Sequence, residues 1–465
     1  MKFTILSAVQ ALHAAIFCLF MQLEYLVIKL ILGLTVMVTM YLLQKSNALF
    51  VVIEKVYKSL RKEQQNDEKY SEEDPEILNV GGQKKSSEDY RKVMKFVFDF
   101  FTRKSCLSFT EVTFDGYKNL TDKVGTVILI TYQEGCWAGW VGKWYDNSDQ
   151  TVSIGEGCGN FNDAAHELLH ALGLDHTMNR HDREKYVHFV ANATSESGQS
   201  VYTITNKTHN NNYGVDYDLT SLMHYNPYGF VIGNEPNLIA VDPDKQHSIG
   251  KHFIGPSHSD LLMLNRLHKC FDKCGTPMHC PNGGFQSTNK CSNCICPRGF
   301  VGELCDMRDP GDNGDGKPCG GEIYVDAIPS TFLTKKIGEK GKSFDRRICY
   351  WHLKSAPGTR LEITFFRDWS PWIPEGNCDW YEKGGIELRL GNFGIGGYIF
   401  ECKEQYPNRR LLADGNVAVV ALEASSGVQH LFMAARAVPG NTNRSHKRHG
   451  LFGKEKYQAD GVHVY

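Results

Sequence analysis

Two histidines four positions apart, in His166-Glu167-Leu168-Leu169-His170, are followed by Gly173 and then by a third histidine, His176. In an α-helix, positions four apart lie about 40° apart in azimuth and roughly 6 Å apart along the axis, so the imidazoles of His166 and His170 reach one ion. Glu167 then stands beside that ion, not on it. Gly173 can take the left-handed backbone that ends a helix, which lets the chain turn back and deliver His176 as a third ligand. Three protein ligands leave one zinc position open, the arrangement of a catalytic site. Structural zinc sites are closed by four ligands, usually with cysteines, and no Cys lies between Cys158 and Cys270. The predicted cofactor is therefore one Zn2+ per chain. Zinc acidifies water from a pKa of about 15.7 toward 7, and Glu167 is placed to take the proton.

Several elements must position these groups. Asn160, Asn162 and Asp163 offer caps for a helix that begins near Ala164, with Leu168, Leu169 and Leu172 facing a core while the histidines face a cleft. A second helix is predicted from Val93, Phe96, Val97, Phe100 and Phe101 behind a Ser86-x-x-Asp89 start. The runs from Thr126 to Tyr132 and from Gln150 to Ile154 read as strands. A sheet edge near the metal would pair with an extended peptide. Downstream, Ser221-Leu-Met-His-Tyr225 offers Met223 to pack beneath the metal and Tyr225 to reach it, with its hydroxyl on a developing oxyanion.

A chain of 465 residues suggests two to four domains. Its formal net charge of -2 asks for no nucleic acid or other polyanion. Of its 15 cysteines, all but Cys18 lie from Cys106 onward, an even set that reads as the disulfide framework of a secreted, extracellular chain. Sequons at Asn119, Asn192, Asn206 and Asn443 are compatible with glycosylation on that route. The apolar leader (1–48) carries two runs, Phe3–Phe20 and Tyr25–Leu43. A functional start at Met21 with signal-peptide cleavage after Ala48 is expected; an uncleaved leader would instead tie the chain to a membrane. The charge-rich stretch 49–85 is expected to be a short pro-segment or linker.

With its Arg180-x-Asp182-Arg183 and its Ser-Leu-Met-His-Tyr turn, the region 86–270 resembles the astacin branch of the metzincin zinc metalloproteinases, as in nematode astacins. The resemblance implies an α+β metzincin-type catalytic domain. It implies His166, His170 and His176 as zinc ligands, Glu167 as general base, and Tyr225 as a switching group that holds the transition state. It also implies disulfides Cys106–Cys270 and Cys136–Cys158, and extracellular protein substrates. The sequence departs from the family pattern in three places: no Trp-x-x-Gly opening strand precedes Tyr90, Thr177 follows the third histidine where the family carries Glu, and no Phe-x-Gly-Asp motif is present.

Six cysteines from Cys274 to Cys305 sit in a segment too short to fold on hydrophobic burial alone, and six permit 15 connectivities. Their pattern makes residues 271–306 resemble an EGF-like module, whose pairing would be Cys274–Cys291, Cys280–Cys294 and Cys296–Cys305. A Gly/Asp-rich linker (307–318) follows. Residues 319–438 alternate in short strands such as Arg360–Phe366, Ile386–Leu390 and Val417–Leu422, an all-β sandwich. That region resembles a CUB domain, which implies Cys319–Cys349 and Cys378–Cys402. Calcium, a ligand of many CUB domains, would call here on Asp379, though an ordinary exposed carboxylate is the plainer reading of that residue. A basic tail (439–465) closes the chain. The favoured function is a secreted zinc endopeptidase; the alternative is a catalytically inactive extracellular EGF-CUB binding protein.

Overall fold

The computed structural model describes residues 49–55, 87–112, 127–142, 150–314, 317–328, 330–366 and 384–441. The leader with its expected start and cleavage site, the sequons at Asn119 and Asn443, Cys378, Asp379 and most of the basic tail lie outside the described residues. Among the described residues no helix is long and apolar enough to cross a membrane.

The site rests on a five-stranded sheet in the order β2-β1-β3-β5-β4. Its strands are β1 (Leu49–Lys55), β2 (Leu107–Val112), β3 (Val127–Thr131), β4 (Cys136–Ala138) and β5 (Gln150–Ile154). β3 and β5 are the two strands expected from sequence, and they run parallel to each other. β1 lies at the start of the stretch expected to be a pro-segment or linker: Leu49–Lys55 sits between β2 and β3, antiparallel to both. Its sequence, LFVVIEK, is dense in β-branched and apolar residues, and that local preference prevails over the charge-rich composition that follows it.

Helix α1 (Ser87–Lys104) packs Val93, Met94, Val97, Phe98 and Phe101 into the core beneath this sheet. Phe96 and Phe100, predicted to lie in the same stripe, are only partly buried. They reach across instead and meet Phe161 edge-on at 5.1 and 5.2 Å. Phe161 is the first residue of α2 (Phe161–Ala171), which carries the histidines and begins three residues before the expected Ala164. α1 thereby sets the height at which the histidine helix starts.

Two disulfides staple this unit. Cys136–Cys158 joins β4 to the loop that leads into α2, and Cys106–Cys270 ties the end of α1 to the chain just beyond α3 (His258–Leu267). Beyond them, the bonds Cys274–Cys291, Cys280–Cys294 and Cys296–Cys305 hold a small unit of two-stranded ladders. It docks on α1, where Asn289 Nδ2 donates to the Thr102 and Arg103 carbonyls. The segment read as a linker is partly pinned: Asp312 bridges Ile348 through paired backbone bonds of 2.8 and 2.9 Å.

The C-terminal unit is β-rich, a seven-stranded sheet whose spine is the pair β6 (Thr331–Lys354) and β10 (Val417–Pro439). Of the three strands expected from sequence, Val417–Leu422 falls within β10, while Arg360–Phe366 and Ile386–Leu390 match β7 (Thr359–Phe365) and β8 (Gly384–Arg389) but run one residue past their ends. β9 (Tyr398–Phe400) pairs with β8. β6 and β10 are longer than expected because their pairing continues past register shifts between Gly338 and Arg347. Cys319–Cys349 joins the start of this unit to β6, and Cys402 is also disulfide-bonded.

Candidate metal centre

Asn160 caps α2, its side chain accepting from the Asp163 amide at 2.9 Å, with Asp163 placed in the first turn where its charge suits the helix dipole. Asn162, also expected as a cap, acts elsewhere: it donates to Phe253 O and accepts from Gly255 N, tying down the loop ahead of α3. At the other end Gly173 takes φ +105°. The Gly173 and Leu174 amides donate to His170 O and Leu169 O, both at 2.9 Å, which is the Schellman closure of a helix. That closure turns the chain back and aims His176 at the other two histidines.

The three imidazoles converge. Ring centroids of His166, His170 and His176 lie 4.5–5.3 Å apart, and one donor nitrogen from each lies within 4.8 Å of the others. His166 Nδ1 faces the Leu222 carbonyl at 2.9 Å, and His170 Nδ1 faces the Leu174 carbonyl at 2.8 Å. A carbonyl accepts only from a protonated nitrogen, so both rings carry their proton on Nδ1 and turn a bare Nε2 inward. His170 Nε2 stands 3.1 Å from His176 Nε2. Two nitrogens at 2.0–2.1 Å from one tetrahedral zinc are about 3.3 Å apart, so this donor set fits that ion. Burial pulls the His166 pKa down to about 3, with the neighbouring His170 adding to the effect, and pulls His170 and His176 down as well. Neutral imidazole is the form a metal requires.

Glu167 is buried on the same helix, and that burial lifts its carboxyl to about 7, with Asp163 reinforcing the shift. Met223 is buried in the core that includes Leu168 and Leu169. Its carbonyl accepts from the Thr177 amide at 2.9 Å, joining the turn to the residue after His176. Thr177 itself donates from Oγ1 to Ser221 Oγ at 2.8 Å, and Ser221 Oγ donates to Asp260 Oδ1 at 2.6 Å. The Tyr225 ring lies 4.5 Å from that of His176 and stacks on Phe230 at 6.3 Å. Arg180 grips Asp182 through two bonds of 2.9 Å and also reaches Val215 O, which fixes the loop after the third histidine.

β4 forms one edge of the described sheet and lies against α2: Gly142, just beyond it, donates to His170 O at 2.8 Å. The remaining described sequons, at Asn192 and Asn206, are exposed. A cavity of about 300 Å³ lies elsewhere, between Tyr186, Tyr217 and Lys245 on one side and Arg389, Asn392 and Tyr398 on the other. It contains none of the three histidines. The residues not expected from sequence are those that orient the histidines. Leu174 and Leu222 act through backbone carbonyls, which leave no mark on residue type; Asp260 was legible as the end of a Ser257-x-x-Asp260 capping box at the start of α3.

Residues 78–269 match the astacin family of peptidases. The chain is similar to zinc metalloproteinase nas-23 of Caenorhabditis elegans, with 30% identity over 78% of this chain and 65% of that protein. It is also similar to zinc metalloproteinase nas-29 of the same organism, with 32% identity over 68% of this chain and 56% of that protein. Among solved structures, it is similar to the hatching enzyme zinc-protease High choriolytic enzyme 1 of the medaka fish Oryzias latipes. That match has 24% identity and a TM-score of 0.34, covering 40% of this chain and 84% of the other. The chain spans less than two thirds of the length of the two nematode relatives. It is residues 78–269, the stretch in which the three histidines converge, that carry the match to the astacin family of peptidases.

Proposed function

We propose that this chain is a secreted zinc-dependent endopeptidase acting on extracellular proteins. The observation that carries this reading is the convergence of three inward-facing imidazole nitrogens with a buried Glu167 next to them in the same helix. His166, His170 and His176 would hold zinc. When bound, zinc supplies Lewis acidity that polarises a peptide carbonyl and acidifies water. Glu167 takes the proton from the attacking water and returns it to the leaving amine. Tyr225, whose ring packs beside His176, donates its hydroxyl to the oxygen on which charge develops. An extended substrate lies along β4, the edge strand of the described sheet beside α2, which places an internal bond over the histidines.

The disulfide-dense segment 271–306 and the β-rich unit beyond it are read as EGF-like and CUB-type modules. The six described disulfides and the exposed Asn192 and Asn206 sequons support an extracytoplasmic route. The test is digestion of an unfolded protein by chain secreted from an oxidising host, with fragments identified by mass. Internal cuts made by wild type and absent from Glu167→Ala are expected. Trimming from the termini alone, or internal cutting that survives Glu167→Ala, would overturn the reading.

A further inference from the structure

The C-terminal β unit reaches the catalytic unit at the segment that carries Tyr225. The turn after β8 brings Gly396 N to Asp218 Oδ1 at 3.1 Å. Asp218 is 2% exposed; the same oxygen accepts from Thr220 N at 2.9 Å and Thr220 Oγ1 at 2.8 Å, and its other oxygen accepts from Ser259 Oγ at 2.8 Å. Thr220 directly precedes Ser221. The approach is close enough that a Cβ on Gly396 would lie 2.1 Å from Thr220 Oγ1 and 2.3 Å from its Cγ2, and Thr220 is itself buried.

A second route reaches the other side of the same turn. β9 donates from Ile399 N to the buried Ser248 Oγ at 3.0 Å. Two residues on, Gly250 N donates to Leu219 O at 2.8 Å and lies so close to Asn226 that an added Cβ would sit 2.5 Å from its Cα. Charge holds this face in register: Arg409 bonds Asp242 at 2.8 Å and Asp244 at 2.5 Å, and Lys251 pairs with Glu401 at 2.6 Å. From the turn the connections continue to the metal centre. Leu222 O orients His166, Met223 O accepts from Thr177, and the Tyr225 ring lies against His176.

We propose that the C-terminal β unit is a positioning element for the metal centre, holding the Ser221–Tyr225 turn through Asp218 on one side and Ser248 on the other. Gly396 and Arg409 are its positioning residues. A unit docked only for solubility or recruitment has no need to place a backbone amide on the carboxylate that fixes Thr220. The proposal rests on the endopeptidase reading for its kinetic consequence but not for its geometric one.

The experiment uses the full secreted chain as wild type, Gly396→Ala, Arg409→Ala, Arg409→Lys and Arg410→Ala. Arg410 is half exposed and pairs with Glu362 inside the β unit, so it serves as the matched control. Three quantities are read: kcat and KM on a short peptide, the visible spectrum of the cobalt-substituted site, and the unfolding temperature. Gly396→Ala and Arg409→Ala are expected to lower kcat about tenfold with KM within about twofold, and to alter the cobalt spectrum, because small displacements of reacting groups are costly. Arg409→Lys should recover most of the loss, and Arg410→Ala should match wild type. If Gly396→Ala is not secreted, Arg409→Ala carries the test. Unchanged kcat and cobalt spectrum in the two alanine variants, even with a lowered unfolding temperature, would overturn the proposal and leave a purely structural contact. A wild type that hydrolyses no peptide would sink the endopeptidase reading, while the cobalt spectra would still decide whether the β unit positions the site.

Discussion

Gly173 is where a single atom should matter most for metal delivery. At φ +105° its backbone is in a region that side-chain-bearing residues adopt only at a cost, and an added Cβ would lie 3.0 Å from Leu267 Cδ2. The backbone term is about 1–2 kcal/mol, and the tight contact raises the sum for Gly173→Ala to about 2 kcal/mol. The chain can relieve that cost only by opening the closure of α2, which breaks the Gly173–His170 and Leu174–Leu169 bonds. Opening it also moves Leu174 O away from His170 Nδ1 and swings His176 off the cluster. The expected outcome is a loss shared between folding and zinc binding, with zinc affinity lowered about tenfold, equivalent to about 1.4 kcal/mol. Competition with a chromophoric chelator measures the affinity, and urea unfolding of metal-free and zinc-loaded chain measures stability. A variant that loses about 2 kcal/mol in the metal-free state yet binds zinc as wild type does would refute the claim that this turn delivers the third ligand.

Other predictions follow from neighbouring geometry. Tyr225→Phe should lower kcat about 100-fold while leaving zinc content at one per chain, read by peptide turnover beside metal analysis. Replacing both Cys106 and Cys270 with Ser removes a link across 164 residues; chain entropy sets the loss at about 5 kcal/mol, so secretion yield and unfolding midpoint should both fall. Asp260 is buried and, despite accepting from Ser221, Leu222 and Ser257, has its carboxyl raised by burial to about 6 against an ordinary 3.8. The native state therefore binds a proton that the unfolded state does not between about pH 4 and 6, so this group's unfavourable contribution is present above pH 6 and relieved on acidification, by roughly 3 kcal/mol at most. The stability difference between wild type and Asp260→Asn should accordingly shift toward wild type from pH 7 to pH 5; no change in that difference would count against the assignment.

Much of the metal centre was legible because its logic is local. The spacing of His166 and His170, the glycine at 173 and the return to His176 are properties of one helix and its closure, and caps and periodicity report on such things. The strands β3 and β5 and the buried leucines of α2 were readable for the same reason. What escaped depends on distant partners. Phe96 and Phe100 share the period of the α1 stripe, yet they serve Phe161 because α2 crosses at that height. β1 was hidden by the polar composition that follows it, although its own seven residues favour a strand. The carbonyls of Leu174 and Leu222, which decide the tautomers of His170 and His166, belong to the backbone and have no sequence signature. Nor does residue type announce that Gly396 and Thr220, in separate units, come into contact.

The most direct test of the central claim is to add zinc stepwise to chelator-stripped chain and follow peptide hydrolysis, with Glu167→Ala titrated in parallel. Wild-type activity is expected to rise linearly and break at one zinc per chain, while Glu167→Ala binds the same single zinc and stays at least about 100-fold slower. A folded wild type that takes up one zinc and hydrolyses no faster than Glu167→Ala would contradict this, leaving a chain that keeps its metal centre without using it.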